Sequence, residues 1–110
     1  MNYSGCFQIT SVPITTSPTI VTSPTGANSF GQKTLTIPLH QLTADLYLLE
    51  VPTHGKQING QTDIDAAFVQ NYGTKWSSSD KVAQINISDQ SYIFAVVSTG
   101  SFTAYPSRWA

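Results

Sequence analysis

The sequence has few charged residues. Asp, Glu, Lys and Arg make up 10% of its 110 residues, against about 25% in an ordinary soluble domain. Serine and threonine take their place, with 13 and 14 copies, and the formal net charge is −1. Because charged residues are depleted where a surface becomes the core of an interface, this composition indicates either a neighbour that covers the surface or an extracellular setting.

Basic residues and cysteine are especially scarce. The basic residues stand singly along the chain, at Lys33, Lys56, Lys75, Lys81 and Arg108. Nucleic-acid binding requires a stripe of positive charge, and an anionic membrane attracts a basic cluster, so the sequence predicts neither partner. Cys6 is the only cysteine, which excludes an internal disulfide and a cysteine-rich metal site.

No long hydrophobic run is present. No apolar window approaches the ~20 residues of a membrane-spanning helix, and the first ten residues lack the basic region and apolar run of a secretory signal. We therefore expect neither a transmembrane segment nor a signal peptide. Hydrophobic residues still make up 40% of the sequence, which is enough to predict a single folded domain over residues 1–110.

No catalytic or cofactor-binding pattern is present either. The two histidines, His40 and His54, are accompanied by no nucleophile-elbow pattern, so a hydrolytic triad is not predicted. Asp63 and Asp65 are spaced as a metal-binding pair could be, but the acidic loop that supplies calcium with its oxygen ligands is missing. Capping of a helix explains both aspartates. We expect no enzyme activity, no cofactor and no metal.

Alternating apolar residues predict a mainly β fold. The period-two segments are residues 6–14, 33–39 and 81–88, and further strands are predicted over residues 91–99, which are richer in apolar residues, and over residues 102–105. Residues 45–51 form an apolar run that fits a strand buried on both faces. Short turn sequences join the last three segments and predict three consecutive antiparallel strands, while Pro13 and Pro38 suggest strands at a sheet edge. The expected fold is an antiparallel β-sandwich or a jelly-roll-like barrel.

One short helix is predicted over residues 62–72. Thr62 is the candidate N-cap, Asp65 follows three residues later as in a capping box, and Gly73 is placed to end the helix. The expected buried face has the spacing i, i+3, i+4 and i+7. Its members are Ile64, Ala67, Phe68 and Asn71.

Residues 13–26 are predicted to form an extended arm. They contain the repeated tetrapeptide of TSPTIVTSPT, and the prolines at positions 13, 18 and 24 disfavour a helix or a central strand. A Ser/Thr/Pro spacer is the simplest interpretation, but a spacer has no need of the apolar residues in this segment. We expect an ordered arm that packs on its own domain or on a neighbouring subunit.

Two classes of function fit these features. The first is a structural subunit of an assembly, with an arm and terminal aromatic residues that dock on a neighbour. Its predicted partner-binding residues are Ile14, Pro18, Ile20, Val21, Pro24, Trp76 and Trp109. The second is a small lectin-like domain, because Tyr and Trp rings with Asn and Gln nearby can stack on sugars.

A short, weakly charged β-domain with an extended TSPTIVTSPT arm resembles the small capsid decoration or cement proteins of tailed bacteriophages. The resemblance is one of overall character along the whole chain, so no residue roles are transferred. It implies a non-enzymatic virion protein, assembled in the host cytoplasm, that bridges neighbouring major-capsid subunits in many copies and contacts itself. Arm and edge-strand pairing would hold it there, and removing residues 13–25 is expected to leave a folded domain that no longer joins its assembly.

Overall fold

The protein is described by a computed structural model over residues 6–8, 11–22, 34–52, 64–87 and 91–109. One α-helix, α1 (Ala66–Tyr72), and a 3-10 helix (Ser78–Asp80) lie among the strands of this part. The strands are β1 (Cys6–Gln8), β2 (Val12–Ile14), β3 (Thr19–Thr22), β4 (Thr34–Pro38), β5 (Leu46–Pro52), β6 (Thr74–Trp76), β7 (Val82–Asn86), β8 (Ser91–Val97), β9 (Phe102–Ala104) and β10 (Ser107–Trp109).

The strands form three antiparallel sheets. Sheet A has the order β1-β10-β4-β7, sheet B consists of β2 and β9, and sheet C has the order β3-β8-β5-β6. Every pairing among these strands is antiparallel. The prediction of a mainly β, antiparallel fold is confirmed.

The last three predicted strands are present, but they do not pair with one another. β7 pairs with β4 in sheet A, β8 lies between β3 and β5 in sheet C, and β9 pairs with β2 in sheet B. The prediction of three consecutive antiparallel strands is therefore wrong. Every residue of β8 except Tyr92 is buried. A strand that is buried on both faces is typically an interior strand, with a neighbouring strand on each side.

The main core is built from residues of all three sheets. Leu35 and Ile37 of β4 pack in one cluster with Leu46 and Leu48 of β5 and with Phe102 of β9. Alternate residues of β8 join the same cluster, namely Ile93, Ala95 and Val97. The inner faces of sheets A and C therefore share this core, which accounts for the alternating pattern of the sequence.

A second, smaller core lies on the other face of sheet C, beneath α1. Val69 of α1 is fully buried and packs with Val51 of β5 and with Phe94 and Val96 of β8. β5 and β8 thus send alternate side chains into two different cores. The prediction that residues 45–51 form a strand is confirmed for β5, which contacts a core on each face, although Tyr47 and Leu49 are half-buried and Glu50 is exposed.

The helix begins later than predicted. Its N-cap is Asp65, whose Oδ1 accepts a hydrogen bond of 2.8 Å from the Phe68 main-chain N–H. Thr62, the predicted N-cap, lies outside the described residues. The predicted end is confirmed, since Gly73 is the C-cap and its N–H donates to the Val69 carbonyl.

The helix also buries a different face from the predicted one. Val69 is buried, whereas Ala67, Phe68 and Asn71 are exposed. The predicted face was counted from Ile64, which lies before the N-cap, and the helix is only two turns long. A single buried residue therefore anchors it to sheet C, and Ile64 reaches the same core from the segment before the helix.

The described part of the predicted arm belongs to the domain itself. β2 pairs with β9 and β3 pairs with β8, so residues 13–22 are ordered on their own chain. Residues 23–26 lie outside the described part. The predicted strand over residues 6–14 is divided between β1 in sheet A and β2 in sheet B.

The prolines lie at positions where no main-chain N–H is needed to hydrogen-bond to a neighbouring strand. Pro13 lies in the two-stranded sheet B, opposite Thr103, and Pro18 immediately precedes the edge strand β3. Pro38 instead ends β4, which is an interior strand, so the prediction of an edge is wrong there. Pro38 is tolerated because it is the last residue of the strand, beyond which Leu39 resumes hydrogen bonding.

Candidate functional site

Three of the predicted partner-binding side chains pack on the domain's own core. Ile14 and Val21 are 0% and 4% exposed. Trp76 is half-buried against the main core, opposite Leu46 in the β5–β6 pair. The prediction that Ile14 and Val21 contact a partner is corrected accordingly, because these two side chains are buried in the core. The contact predicted for Trp76 stays a prediction. The Trp76 Nε1 is buried without a hydrogen-bond partner in the described part of the chain.

The other predicted residues are only partly placed. Pro18 and Ile20 are half-buried at the start of edge strand β3, and Ile20 packs against the second core. Pro24 lies outside the described residues. The main chain of Trp109 belongs to β10, between Cys6 of β1 and Thr34 of β4, but its side chain is outside the described part.

The most exposed pair of aromatic side chains in the described chain lies on α1. Phe68 is 40% exposed and Tyr72 is 70% exposed. Their ring centroids are 4.9 Å apart, with the planes tilted by 46°. Residues four apart on a helix lie on the same face, so the two rings form one continuous apolar surface, here called the aromatic patch.

The surroundings of the aromatic patch carry little charge. None of the seven residues of α1 is charged, and Asn71, three residues after Phe68, is exposed beside the rings. On the face of sheet C that α1 covers, Tyr47 and Tyr92 are half-buried around the second core. A partner could therefore approach this side of the molecule without displacing a layer of bound water from ionised groups.

Three charged residues lie at the margins of this surface: Asp65, Lys75 and Asp45. Asp65 caps the helix. Lys75 of β6 lies opposite Tyr47 and forms an exposed ion pair with Asp45, with 3.8 Å between Nζ and Oδ2. An exposed pair of this kind contributes little to stability, and because its two charges are opposite, the pair adds no net charge to the surface.

Sequence reasoning missed the aromatic patch because it assigned Phe68 to the buried face. The signal that finds it is the N-cap: Asp65 can accept from the N–H three residues later only if the helix starts at Ala66. From that start, Val69 is the residue of the first turn that points to sheet C. Phe68 is then rotated by about 100° from Val69 and comes to the surface together with Tyr72.

The remaining candidate residues give no reactive cluster. His40 is exposed in the turn after β4, and His54 and Asp63 lie outside the described part. Within that part, no three His, Cys, Asp or Glu residues are grouped so that they could hold a metal ion. No helix in the same ranges is long and apolar enough to cross a membrane.

Comparison with known proteins identifies no relative. No family model, no curated protein and no solved structure matches the chain. The function is therefore inferred from the chain's own residues. Among the described residues, the aromatic patch is the clearest exposed apolar surface.

Proposed function

We propose that the protein is a non-catalytic structural subunit of a larger protein assembly, which it joins through the aromatic patch on α1. The observation that carries this proposal is the exposure of two adjoining, tilted rings, Phe68 and Tyr72, on a helix without a charged residue. Single exposed apolar residues are ordinary on soluble proteins. An adjoining aromatic pair is typical of an interface anchor.

The free energy that a partner could gain at the patch is substantial. A large aromatic side chain presents up to about 200 Å² of surface, so the exposed fractions of the two rings leave roughly 200 Å² in water. Covering that area would contribute about 5 kcal/mol. The ordering cost is small because the rings already contact each other and Val69 anchors the helix from below.

The fold offers a rigid support for such a contact. We take sheets A and C, whose inner faces share the main core, as the two layers of a β-sandwich, with α1 as a third layer outside sheet C. In this arrangement the patch lies on the outermost layer of the molecule. A flat partner surface could therefore reach both rings at once.

The assembly that we propose is a virion, in which this protein would decorate or cement the shell. The support is the resemblance in overall character and the low charge, with 10% ionised residues and a net charge of −1. The sequence predicted that Ile14 and Val21 contact the partner, but both side chains are buried. In the proposed assembly Phe68 and Tyr72 contact the partner instead. The proposed partners are major-capsid or other structural subunits.

Gradient sedimentation in the cells that carry the gene tests this role. The chain is expressed with a short tag, and lysate fractions are probed for its position. We expect the protein to sediment with a large particle and the variant Phe68→Ser/Tyr72→Ser to stay at the top with free protein of 11.9 kDa. The matched control is Tyr105→Ser, which removes a ring of similar exposure that is not on α1.

Two results would decide against the proposal. If the wild-type chain stays at the top of the gradient, there is no assembly to join. If the Phe68→Ser/Tyr72→Ser variant sediments as the wild type does, an assembly exists but the patch does not hold the protein in it.

Carbohydrate binding is the second candidate function, and one observation favours it. Asn71, three residues after Phe68 on the helix, places an amide group beside the exposed rings, and rings with an adjacent amide can stack on and hydrogen-bond to a sugar. A glycan array with the wild type and with Tyr72→Ala separates the two functions. Sugar binding by a monomer that Tyr72→Ala abolishes would favour the lectin.

A further inference from the structure

Strand β7 is an edge of sheet A with an unusual sequence for an edge. Its only sheet neighbour in the described ranges is β4. The five residues Val82–Asn86 include no charge and no proline. Val82 is 42% exposed, and Gln84 and Asn86 are also exposed. An unpaired edge of this length presents free N–H and C=O groups to any other strand.

The edges of sheet C carry the protection that β7 lacks. β3 follows Pro18 directly and has an irregular register between Ile20 and Thr22. β6 has three residues, and its central Lys75 pairs with Asp45. Proline, bulges, short length and lysine are the usual means by which natural sheets prevent edge pairing. None of these features occurs within β7.

One hydrogen bond shows which main-chain groups of β7 point outward. The Leu39 N–H donates to the Lys81 carbonyl at 2.8 Å. In an antiparallel pair, hydrogen-bonded and non-hydrogen-bonded residue pairs alternate. The register pairs Ile37 with Ala83 and Leu35 with Ile85, so Ala83 and Ile85 continue the hydrogen-bonded set with β4.

The residues between them therefore direct their main-chain groups away from β4. These residues are Val82, Gln84 and Asn86. Pro38 is consistent with this assignment, because it stands opposite Val82 and has no N–H to donate. Gln84 is the centre of the strand, and its N–H and C=O both face the open edge.

We propose that two copies of the chain pair antiparallel along β7, around a two-fold axis that passes beside Gln84. In this register Gln84 faces Gln84 of the second copy, and Val82 faces Asn86. The outward main-chain groups of both strands meet, which gives about six hydrogen bonds. Two copies of sheet A then become one continuous sheet.

The charges around β7 favour a second copy as the partner. The strand itself is neutral, so two copies meet without like-charge repulsion at their contact. Lys81, the nearest described charge, lies at opposite ends of the paired strands, about 20 Å from its counterpart. That distance exceeds the Debye length of roughly 8 Å at physiological ionic strength. Pairing would also cover the exposed Val82.

This interface is separate from the aromatic patch. α1 packs on the far face of sheet C, whereas β7 is an edge of sheet A. A strand pair of this length buries less surface than a standard stable interface, so we expect a weak dimer that forms as the protein concentration rises. Self-association at β7 and partner binding at the patch can thus be tested independently.

Sedimentation equilibrium of the purified chain tests the pairing. Over a series from micromolar to millimolar protein, we expect the mass to rise from 11.9 kDa towards twice that value. Gln84→Lys places two lysines together at the two-fold axis and should raise the dimer dissociation constant at least about tenfold. Gln70→Lys makes the same chemical change on α1 and should leave the dimer dissociation constant unaltered. Thermal unfolding followed by circular dichroism verifies that both variants fold.

Cysteine crosslinking tests the register. In a Cys6→Ser background, Gln84→Cys is expected to form a disulfide dimer, because Cα atoms across a hydrogen-bonded pair are about 5.5 Å apart. A mixture of Val82→Cys and Asn86→Cys should give the heterodimer. Val82→Cys alone should not crosslink, because its two copies lie about 14 Å apart in this register.

Three results would overturn the proposal. The first is a mass that stays at the monomer value throughout the series. The second is a dimer that Gln70→Lys weakens and Gln84→Lys does not, which would place self-association at α1. The third is efficient crosslinking of Val82→Cys alone, which requires another register.

Discussion

The Asp65 carboxylate accepts a hydrogen bond of 2.8 Å from the Phe68 main-chain N–H. The N-cap of α1 therefore also fixes the first ring of the aromatic patch. Because α1 has only seven residues and one fully buried side chain, Val69, the cap is a large part of what holds the helix in place. Fold and proposed binding surface thus depend on the same carboxylate.

Replacing that carboxylate gives the first prediction. Asp65→Ala is expected to lower the free energy of unfolding by about 1 kcal/mol, since it leaves an N-terminal N–H of the helix without its acceptor. Asp65→Asn keeps an acceptor oxygen and is expected to be nearly neutral. Urea unfolding of both variants measures the difference. Equal stability of Asp65→Ala and wild type would mean that the cap contributes nothing.

Gly73 is expected to be essential where α1 meets β5. A Cβ at this position would lie 2.5 Å from the Val69 carbonyl oxygen and 2.7 Å from the Leu48 carbonyl oxygen. Both atoms belong to the main chain, so Gly73→Ala should cost about 2 kcal/mol or more in unfolding free energy.

The matched control for Gly73 is Gly100→Ala. Gly100 has a φ of 68° and no atom within 4 Å of the added Cβ, so only backbone strain of about 1 kcal/mol is expected. Thermal melting of the two variants ranks them. A Gly73→Ala protein that melts above Gly100→Ala would contradict the close approach of α1 to β5.

The segment first predicted to be an arm is expected to be required for folding. Ile14→Ala removes a fully buried side chain from the main core and should destabilise the domain by about 2–5 kcal/mol. Thr16→Ala changes an exposed residue of the same segment and should stay within about 0.5 kcal/mol of wild type.

Removal of residues 13–25 should leave an unfolded chain, because it deletes β3 and most of β2 together with their core residues. Far-UV circular dichroism distinguishes this outcome from the earlier expectation of a folded domain without its arm. A cooperative unfolding transition in the deletion variant would restore the arm interpretation.

The aromatic patch is expected to matter for binding and little for stability. The pair Phe68 and Tyr72 contributes to the isolated helix about as much as other i, i+4 pairs, roughly 0.2–0.5 kcal/mol. Phe68→Ser/Tyr72→Ser should therefore unfold within about 1 kcal/mol of wild type in urea. A much larger loss would indicate that the rings are structural and would remove the reason to treat them as a binding site.

The sequence revealed burial more reliably than it revealed pairing. The run in β5 correctly indicated a strand that contacts a core on each face, because every residue from Leu46 to Leu49 is apolar. It could not indicate that β8 would lie beside β5 and β3. Turn residues determine where strands end, but the partner of a strand is determined by which faces must be buried together, and those faces come from distant parts of the chain.

The same limit explains the predicted arm. Ile14 and Val21 showed that the segment needs an apolar surface, and this requirement was correct. Which surface they would find depended on β8 and β9, near the other end of the chain. Phe68 was misplaced for a different reason, namely a helical face counted from Ile64, which lies before the cap at Asp65.

Coverage of the aromatic patch can be measured directly by hydroxyl-radical labelling, followed by mass spectrometry, of the free protein and of the fastest-sedimenting fraction that contains it. We expect labelling of Phe68 and Tyr72 to fall at least about fivefold in that fraction, as burial of both rings in a desolvated contact requires. Tyr105, which is 52% exposed, serves as the internal reference. Unchanged labelling of Phe68 and Tyr72 in the large particle would contradict the proposed role of the patch.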